Sequence, residues 1–406
     1  RFRSAARYLR RARRAWPWHA GLFRAHLGSL AEIGAVDELR DIIRREERVQ
    51  DGSAPAFVIG AASVLQHIGD FDLARAIAAR IAAPQQRSSL DRALLSSLLR
   101  RGDTGAAETL FAEVGKWLPQ RSVSHFGSGV DGAVRIDTRL AQRAAGAADP
   151  RILMPAAGEV VRRWIETHRD GGSGASSAVP QQVMQYWDKP EPPDDIAGLI
   201  ASWRDQPGAA HHRFDRRMAT DWLGTRLGAD WPRALRAARS PAEESDFYRL
   251  AWLMLEGGLY VDCDDRRTGD LEAVFKRLRG LTVFLEPQGS IANNVIFAPP
   301  KHPAIVWAAH AAKAALLERH SDNTWMKTGP GLMTRAVAWY LTVGPDSAPD
   351  LCILPRYWLG SWMQVHVPLP YKRTNRYWNA SAAGAGAAAD LASFARRLLE
   401  ETAPAP

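Results

Sequence analysis

Three aspartates follow a short apolar segment in the second half of the chain. In residues 255–267, LEGGLYVDCDDRR, the triplet LYV is followed by Asp262, Asp264 and Asp265. Two carboxylates that lie two residues apart on one face of a strand repel each other unless water or a cation separates them. A divalent cation prefers such oxygen ligands, whereas a solvated turn would account for the same letters without an ion. The stretch therefore indicates either a metal site or an exposed turn.

Strand alternation separates the three aspartates. If residues 259–264 form a strand, Tyr260, Asp262 and Asp264 point to one face, while Cys263 points to the other. We expect Cys263 to lie in the core as a small apolar side chain. Asp265 falls outside this alternation, and we expect it to be the solvated residue of the turn.

A well-marked helix precedes these aspartates. Residues 240–243, SPAE, form an N-terminal capping box with proline at the first helical position, and the glycine pair after Glu256 predicts the helix end. Asp246 and Arg249 lie three residues apart within this helix. On an isolated helix they would form a weak surface ion pair, but beside an acidic strand end they become candidate ligand-binding residues.

Strands and helices alternate from residue 179 onward. Strand-like segments cover 179–187, 259–264, 281–287 and 293–299, and the helical segments between and after them include 196–204, 241–256, 271–278 and 304–320. This alternation is typical of an α/β domain with a mixed, mostly parallel sheet. Ligands of such sheets bind beyond the carboxyl ends of the strands, which is where the aspartates lie.

The first 120 residues follow a different pattern. A leucine, a glycine four residues later and a small or apolar residue five positions further on recur around Gly34, Gly69 and Gly102. A helix, a glycine-containing turn and a second helix repeated at about 34 residues resemble degenerate tetratricopeptide repeats. Such a solenoid either presents a concave surface to a peptide or another chain, or serves only as a helical buttress for the next domain.

These patterns divide the chain into three parts. Residues 1–168 are predicted to form an all-α, tetratricopeptide-like repeat domain, and residues 179–406 the α/β domain. Residues 169–178, RDGGSGASSA, are rich in glycine and serine and are predicted to be the linker.

Composition sets limits on location. No apolar stretch approaches the roughly 20 residues needed to cross a bilayer, and the first residues lack the apolar core of a secretory signal. The chain has only two cysteines, Cys263 and Cys352, which fits a reducing compartment. We therefore expect a cytoplasmic protein.

Charge is concentrated at the N-terminus. The net charge is +9, and seven arginines lie in the first 14 residues. This basic helix predicts either peripheral contact with a membrane or a solvated helix flank. Nucleic-acid binding has little beyond the net charge in its favour, because no recognised motif or interleaved basic and aromatic stripe accompanies it, and we expect none.

The capped helix and the acidic strand end together match a known pattern. Its matched positions are Ser245, Asp246, Arg249, Gly257, Gly258, Tyr260, Asp262 and Asp264. They resemble the sugar-binding region of the DXD-containing glycosyltransferases of family 32. Shorter matches at 179–187, 293–296 and 328–332 extend the resemblance over 179–381. Two departures are Met184, which replaces the family's histidine, and residues 375–381, which only echo its C-terminal signature.

The resemblance implies a nucleotide-sugar-binding α/β domain of the GT-A type. Its activity would be transfer of a hexose-type sugar from a UDP-sugar or GDP-sugar, with retention at the anomeric carbon, to a saccharide or protein acceptor. Asp264 is then expected to coordinate Mn²⁺ or Mg²⁺ at the diphosphate. Asp262 would reach the ribose or the sugar and contribute to the metal site, and Asn379 or Ser381 would supply the last metal contact.

The resemblance also implies a set of donor-binding residues. Asp246 and Arg249 would bind the sugar hydroxyls, and Trp187 would stack near the base. The full donor-binding set is Gln185, Trp187, Asp246, Arg249, Tyr260, Asp262, Asn293 and Asn294. The catalytic candidates are Asp262, Asp264 and Glu286; Glu286, at the end of a predicted strand, is alternatively a surface acid.

A second function class remains open from the sequence. The helical repeats, which would dock the acceptor of an enzyme, would also suit a scaffold that binds other chains and carries a vestigial transferase domain. The near-complete acidic pattern favours the enzyme, because loss of catalysis usually erodes such acids first.

Overall fold

The computed structural model describes most of the chain. The described residues are 2–101, 103–114, 154–168, 178–204, 208–286, 289–320, 324–344, 348–367 and 369. The helices ahead of the main sheet are α1 Phe2–Ala15, α2 Ala20–Glu32, α3 Val36–Arg45, α4 Glu47–Gln50, α5 Pro55–His67, α6 Phe71–Ala78, α7 Pro84–Arg100, α8 Thr104–Val114 and α9 Met154–Thr167. Among the described helices, none combines the length and the apolar character that a membrane crossing requires.

Glycines close the predicted turns of the helical region. Gly34 follows α2 and Gly69 follows α5, with φ of +71° and +80°. This left-handed conformation is accessible to glycine at little cost, and it lets the next amides bond back to the helix end. Two copies of the repeated template therefore form a helix, a turn and a second helix, as predicted. Gly102 of the third copy lies outside the described residues.

The helices of this region pack through a mixture of aromatic and small side chains. The rings of Phe23 on α2 and Phe57 on α5 lie 5.1 Å apart between centroids. Ala61 and Ala62 on α5 are fully buried, and their small side chains permit close approach of the neighbouring helices. The region thus has an apolar core of its own.

Helix α9 packs on the α/β part of the chain. Its buried residues Ala157 and Val161 belong to the same apolar cluster as Met333 and Val337. Those two residues lie on the helix Pro330–Val343, which precedes the last strand of the main sheet in sequence. The division of the chain at residues 169–178 stays a prediction.

Six strands form the main sheet. They are β1 Gln182–Tyr186, β2 Ala210–Phe214, β3 Gly258–Val261, β5 Leu281–Leu285, β6 Val295–Ala298 and β7 Leu351–Pro355, in the spatial order β2-β1-β3-β6-β5-β7. Strand β1 is parallel to β2 and β3, and β5 is parallel to β7, whereas β6 is antiparallel to both neighbours. This confirms the predicted α/β class with a mixed, mostly parallel sheet.

Two short strands pair outside this sheet. They are β4 Arg266–Arg267 and β8 Met363–Gln364, which run antiparallel, and a 3₁₀ helix at Arg356–Ser361 leads into β8. The remaining helices are α10 Asp194–Arg204, α11 Arg216–Leu227, α12 Asp230–Ala237, α13 Pro241–Glu256, α14 Leu271–Arg277, α15 Pro303–Leu317, α16 Thr324–Lys327 and α17 Pro330–Val343.

Strands β2 and β7 are absent from the sequence prediction. The letters of β2, AHHRF, carry no apolar alternation, and the strand forms by parallel pairing with β1 at the edge of the sheet over five positions. Strand β7 pairs with β5 over five positions at the other edge. Pairing at a sheet edge depends on segments that are distant in the chain, so the local sequence of these two short strands was not enough to predict them.

Helix α13 runs between the predicted limits. Ser240 Oγ accepts a hydrogen bond from Glu243 N over 3.2 Å, which caps the first turn. After the helix, Gly257 and Gly258 adopt φ of +66° and +102°. A Cβ at Gly258 would lie 2.7 Å from Gln182 Cγ on the neighbouring strand, so this turn needs glycine for space as well as for conformation.

Candidate functional site

Strand β3 ends at Val261, and the chain then turns sharply. Asp262 N donates to Asn294 O over 3.0 Å, and Asp265 N donates to Asp262 O over 3.1 Å, which closes a β-turn. The predicted strand alternation therefore stops before Asp264. Cys263 is buried, as predicted, and its thiol donates to Tyr186 O over 3.2 Å.

Arg249 of α13 bridges the helix and the strand end. Its Nη2 lies 3.0 Å from Asp246 Oδ1 and 3.1 Å from Asp262 Oδ1. Its guanidinium stacks over the Tyr260 ring at 4.1 Å from the centroid, and it also donates to Asn293 O. The Tyr260 hydroxyl donates to Asp262 Oδ1 over 2.7 Å. Four residues of the predicted pattern, from two elements, thus form one hydrogen-bonded network.

Electrostatics keep this arginine charged. Its side chain is only 4% exposed, and burial opposes the charge. Tyr260, Asp262 and Asp246 nevertheless raise the pKa of Arg249 above its usual value. Removing this cation would leave two carboxylates close together without compensation.

Asp246 is the buried acid of the network. Its Oδ1 accepts from Asn293 Nδ2 over 2.8 Å and its Oδ2 accepts from Thr328 Oγ1 over 3.1 Å. Burial raises the pKa of Asp246 to about 6, although Arg249 acts in the opposite direction. Asp246 and Arg249 therefore form a buried pair rather than a surface ion pair.

Asp262 is the member of the network that solvent reaches. Its side chain remains 27% exposed, against 9% for Asp246. Burial raises the pKa of Asp262, Arg249 lowers it and Asp264 raises it further. A ligand approaching the strand end would meet this carboxylate first.

Gln185 and Trp187 lie on the other side of the turn. Gln185 is fully buried; its Nε2 donates to Asp262 O over 3.3 Å, and its Oε1 lies 3.0 Å from His211 Nε2. Trp187 is partly buried and packs against the cluster that contains Ile196 and Cys263. Gln185 thus holds the backbone of the turn, and Trp187 lies beside it.

The prediction that Asp265 is a solvated turn residue is wrong. Its side chain is fully buried, with Oδ2 accepting from Asn294 Nδ2 over 3.1 Å and Oδ1 accepting from His366 N over 2.6 Å. Trp203 Nε1 donates to its carbonyl oxygen over 2.9 Å. Burial, together with Asp264 and Asp262, raises the pKa of Asp265 well above its usual value. The turn folds this carboxylate inward, where it organises the loops around it.

Asp264, Asp265 and His366 bring their ligand atoms together. One carboxylate oxygen of each acid and one imidazole nitrogen all lie within 4.8 Å of one another. Pairing of β4 with β8 explains the cluster, because Arg266 lies opposite Gln364 and the antiparallel register, continued by two residues, sets Asp264 opposite His366. Val367 N donates to Asp264 O over 3.0 Å. Two carboxylates and one imidazole are a donor set that suits a divalent metal ion.

His366 is the residue that the sequence prediction misses. It lies 101 residues after Asp265, and no local spacing relates the two. Its φ of +50° is in the left-handed region that residues other than glycine rarely adopt. Such a conformation is held by the surrounding bonds and recurs at functional sites.

The remaining predicted residues lie elsewhere. Glu286 follows β5, two strand positions from β3, and its Oε2 accepts from Ser290 Oγ over 2.8 Å. It lines a cavity of about 230 Å³ together with Glu32 and Arg101 of the helical region. Asn379 and Ser381 lie outside the described residues.

Comparison with known proteins adds one structural likeness. No protein-family model and no curated protein matches the chain. A solved structure, "PaToxG Glycosyltransferase", is similar over 46% of this chain and 79% of that chain, with 16% sequence identity and a TM-score of 0.32. A similarity this low leaves the functional assignment to the residues of the site themselves.

Proposed function

We propose that the chain is a metal-dependent, retaining glycosyltransferase that moves a hexose-type sugar from a UDP-sugar or GDP-sugar to a saccharide or protein acceptor. The observation that carries this proposal is the network in which Arg249 joins Asp246 to Tyr260 and Asp262. It lies at the carboxyl ends of the parallel strands β1 and β3, the edge at which ligands of α/β sheets bind.

The exposed and the buried residues of the network have different proposed roles. Asp262, the more exposed acid, is positioned to accept hydrogen bonds from the hydroxyls of the donor. Arg249 and the buried Asp246 orient it and fix its charge, and Gln185 holds its backbone. Trp187, beside the same turn, would offer its ring to the base.

The donor set of Asp264, Asp265 and His366 fits a metal ion. Carboxylates suit both Mg²⁺ and Mn²⁺, and the imidazole favours Mn²⁺, because Mg²⁺ prefers oxygen ligands. An ion held by these three side chains would keep coordination positions open for the diphosphate. When bound, the ion would stabilise the negative charge that develops on the departing diphosphate.

The proposed acceptor site lies between the sheet and the helical region. Glu286 and the helical residues Glu32 and Arg101 line one cavity, and Glu286 follows a strand that is parallel in direction to β3. We place the acceptor there, with the helical repeats docking it and Glu286 as a catalytic candidate near its hydroxyl.

A donor-hydrolysis assay tests the proposal. The full chain is incubated with a panel of UDP-sugars and GDP-sugars, and the released nucleoside diphosphate is measured with Mn²⁺, with Mg²⁺ and with a chelator. We expect turnover of at least one donor in Mn²⁺, a loss of about 100-fold or more in Asp264→Asn and Asp262→Asn, and no effect of Asp221→Asn, which changes an exposed acid of α11. Full turnover in chelator would contradict the metal role. Absence of donor binding by calorimetry would instead favour a scaffold with a vestigial transferase domain.

A further inference from the structure

Helix α1 has an exposed face of arginines. Its buried residues Ala6 and Ala12 face α2, the helix on which it packs. At 3.6 residues per turn, five exposed arginines fall within about 100° of the helix circumference. They are Arg3, Arg7, Arg10, Arg11 and Arg14. The helix therefore separates a small-residue inner face from a strongly cationic outer face.

Among the described residues, acids lie beside only part of this cationic face. Arg10 pairs with Glu38, and the half-buried Arg13 pairs with Glu46. Within the part of the chain that the structure describes, no carboxylate pairs with Arg3, Arg7, Arg11 or Arg14. Four neighbouring guanidinium groups therefore have no neutralising carboxylate among the described residues, and their mutual repulsion favours binding to an anionic surface.

Exposed aromatic rings accompany the arginines. Tyr8 on α1 is 69% exposed, and Trp16 and Trp18, directly after the helix, are 51% and 67% exposed. They are three of the six large apolar side chains that are exposed among the described residues. These three exposed aromatic side chains lie within eleven consecutive residues, so α1 and the turn after it form a surface that is both cationic and aromatic.

We propose that α1 with Trp16 and Trp18 binds the anionic headgroup layer of a lipid bilayer. Guanidinium groups bind phosphates through paired hydrogen bonds, and tryptophan and tyrosine prefer the interface between lipid and water. An amphipathic helix rich in arginine, with aromatic residues at its end, is suited to lie in the plane of that interface. A nucleic acid would use the same charges but requires a groove that follows its backbone, whereas the arginines of α1 lie on one face of a single helix that packs on α2.

Cosedimentation with vesicles tests this inference. The full chain is mixed with phosphatidylcholine vesicles that contain either no phosphatidylserine or about a third of it, at low and high salt. We expect binding only to the anionic vesicles and its loss at high salt. A single-stranded oligonucleotide is tested in parallel, and binding to it without binding to anionic vesicles would overturn the proposal.

Two charge-matched variants locate the surface. Arg7→Glu/Arg11→Glu/Arg14→Glu changes α1, and Arg45→Glu/Arg163→Glu/Arg217→Glu makes the same change of net charge at exposed positions elsewhere. Each arginine near an anionic bilayer contributes about fivefold, so we expect the first variant to bind on the order of 100-fold more weakly. The control should remain within about twofold on binding, with unchanged circular dichroism in both. If both variants lost vesicle binding equally, net charge alone would explain the binding, and the proposal would be overturned.

A third variant tests the aromatic contribution. Trp16→Ala/Trp18→Ala keeps every charge and removes the two exposed indoles. We expect weaker binding that stays salt-dependent, because the electrostatic part is intact. Unchanged binding would show that the rings do not enter the interface and would limit the site to its arginines, which contradicts the surface as proposed.

Discussion

Arg249 Nη2 and Asp262 Oδ1 lie 3.1 Å apart, although 13 residues and a two-glycine turn separate them in the chain. The contact exists because α13 ends where β3 begins, and the helix runs back alongside the strand that follows it. The same nitrogen lies 3.0 Å from Asp246 Oδ1. One guanidinium therefore sets the charge and the position of both acids, one buried and one at the surface of the site.

Arg249→Met tests whether this cation holds the site together. The change leaves the buried Asp246 and the partly exposed Asp262 close together without a compensating cation, and we expect a loss of about 3–5 kcal/mol in the free energy of unfolding. The loss should narrow as pH falls from 8 toward 5, because the pKa of Asp246 is already raised to about 6 and a protonated Asp246 needs no cation. Urea denaturation at several pH values measures this. Arg217→Met, at an exposed position of α11, is the control and should cost less than about 0.5 kcal/mol.

Gly258→Ala tests the turn that sets this geometry. A Cβ at this position would lie 2.7 Å from Gln182 Cγ, and φ is +102°. Strain and overpacking together predict a loss of about 2–4 kcal/mol in urea denaturation. Gly198→Ala is the matched control, because that glycine lies in α10 with nothing within 4 Å of the added Cβ, and we expect it to gain about 0.5–1 kcal/mol. Similar effects at both positions would show that the turn tolerates a side chain.

Local patterns account for the elements that carry the network. The cap at Ser240 and the glycine pair after Glu256 predict the limits of α13, and the three-residue spacing places Asp246 beside Arg249. The apolar triplet before Asp262 predicts β3. These features depend on neighbours within one or two turns of the chain, so the sequence alone is sufficient to predict them.

The rest of the site depends on contacts between distant segments. Asp265 is buried because the turn carries it toward Asn294 and His366, and strand periodicity contains no information about that turn. His366 reaches the acids because β8 pairs with β4, two strands of only two residues each. Strands this short have no recognisable pattern in the sequence, which is why neither residue is predicted correctly.

Asp265→Ala distinguishes a buried structural acid from an exposed one. The change removes the acceptor of both Asn294 Nδ2 and His366 N. Leaving the buried Asn294 amide and the partly buried His366 N–H without an acceptor predicts a loss of about 2–4 kcal/mol in the free energy of unfolding. Asp221→Ala, an exposed acid of α11, should stay within about 0.5 kcal/mol. An equally small effect at Asp265 would mean that the turn is solvated after all.

Asp350→Asn tests a contact between a carboxylate and an imidazole directly before strand β7. Asp350 Oδ2 lies 3.5 Å from His302 Nε2, and the neighbouring His302 and the Tyr340 hydroxyl lower the pKa of Asp350 to about 2. A carboxylate whose pKa is lowered by folding stabilises the folded state at pH values above about 4, the pKa of an aspartate in the unfolded chain. This stabilisation disappears as the pH falls toward 2. Because solvent screens this partly exposed carboxylate, we expect the variant to lose about 1 kcal/mol at pH 6, with the difference from wild type shrinking below pH 4. A difference that does not change with pH would exclude the charge as its cause.

His366→Ala tests the proposed metal site without relying on activity. Binding of Mn²⁺ to the full chain is measured by electron paramagnetic resonance of the free ion. If Asp264, Asp265 and His366 hold the ion as proposed, removing one of these three side chains predicts an affinity about 10-fold to 100-fold weaker, and Asp264→Ala should weaken it at least as much. His320→Ala, a histidine paired with Glu318 at the surface, is the control and should leave the affinity unchanged. If Asp264→Ala lowers the affinity and His366→Ala does not, the ion is held by the acids alone, and the pairing of β4 with β8 serves only to close the loop around them.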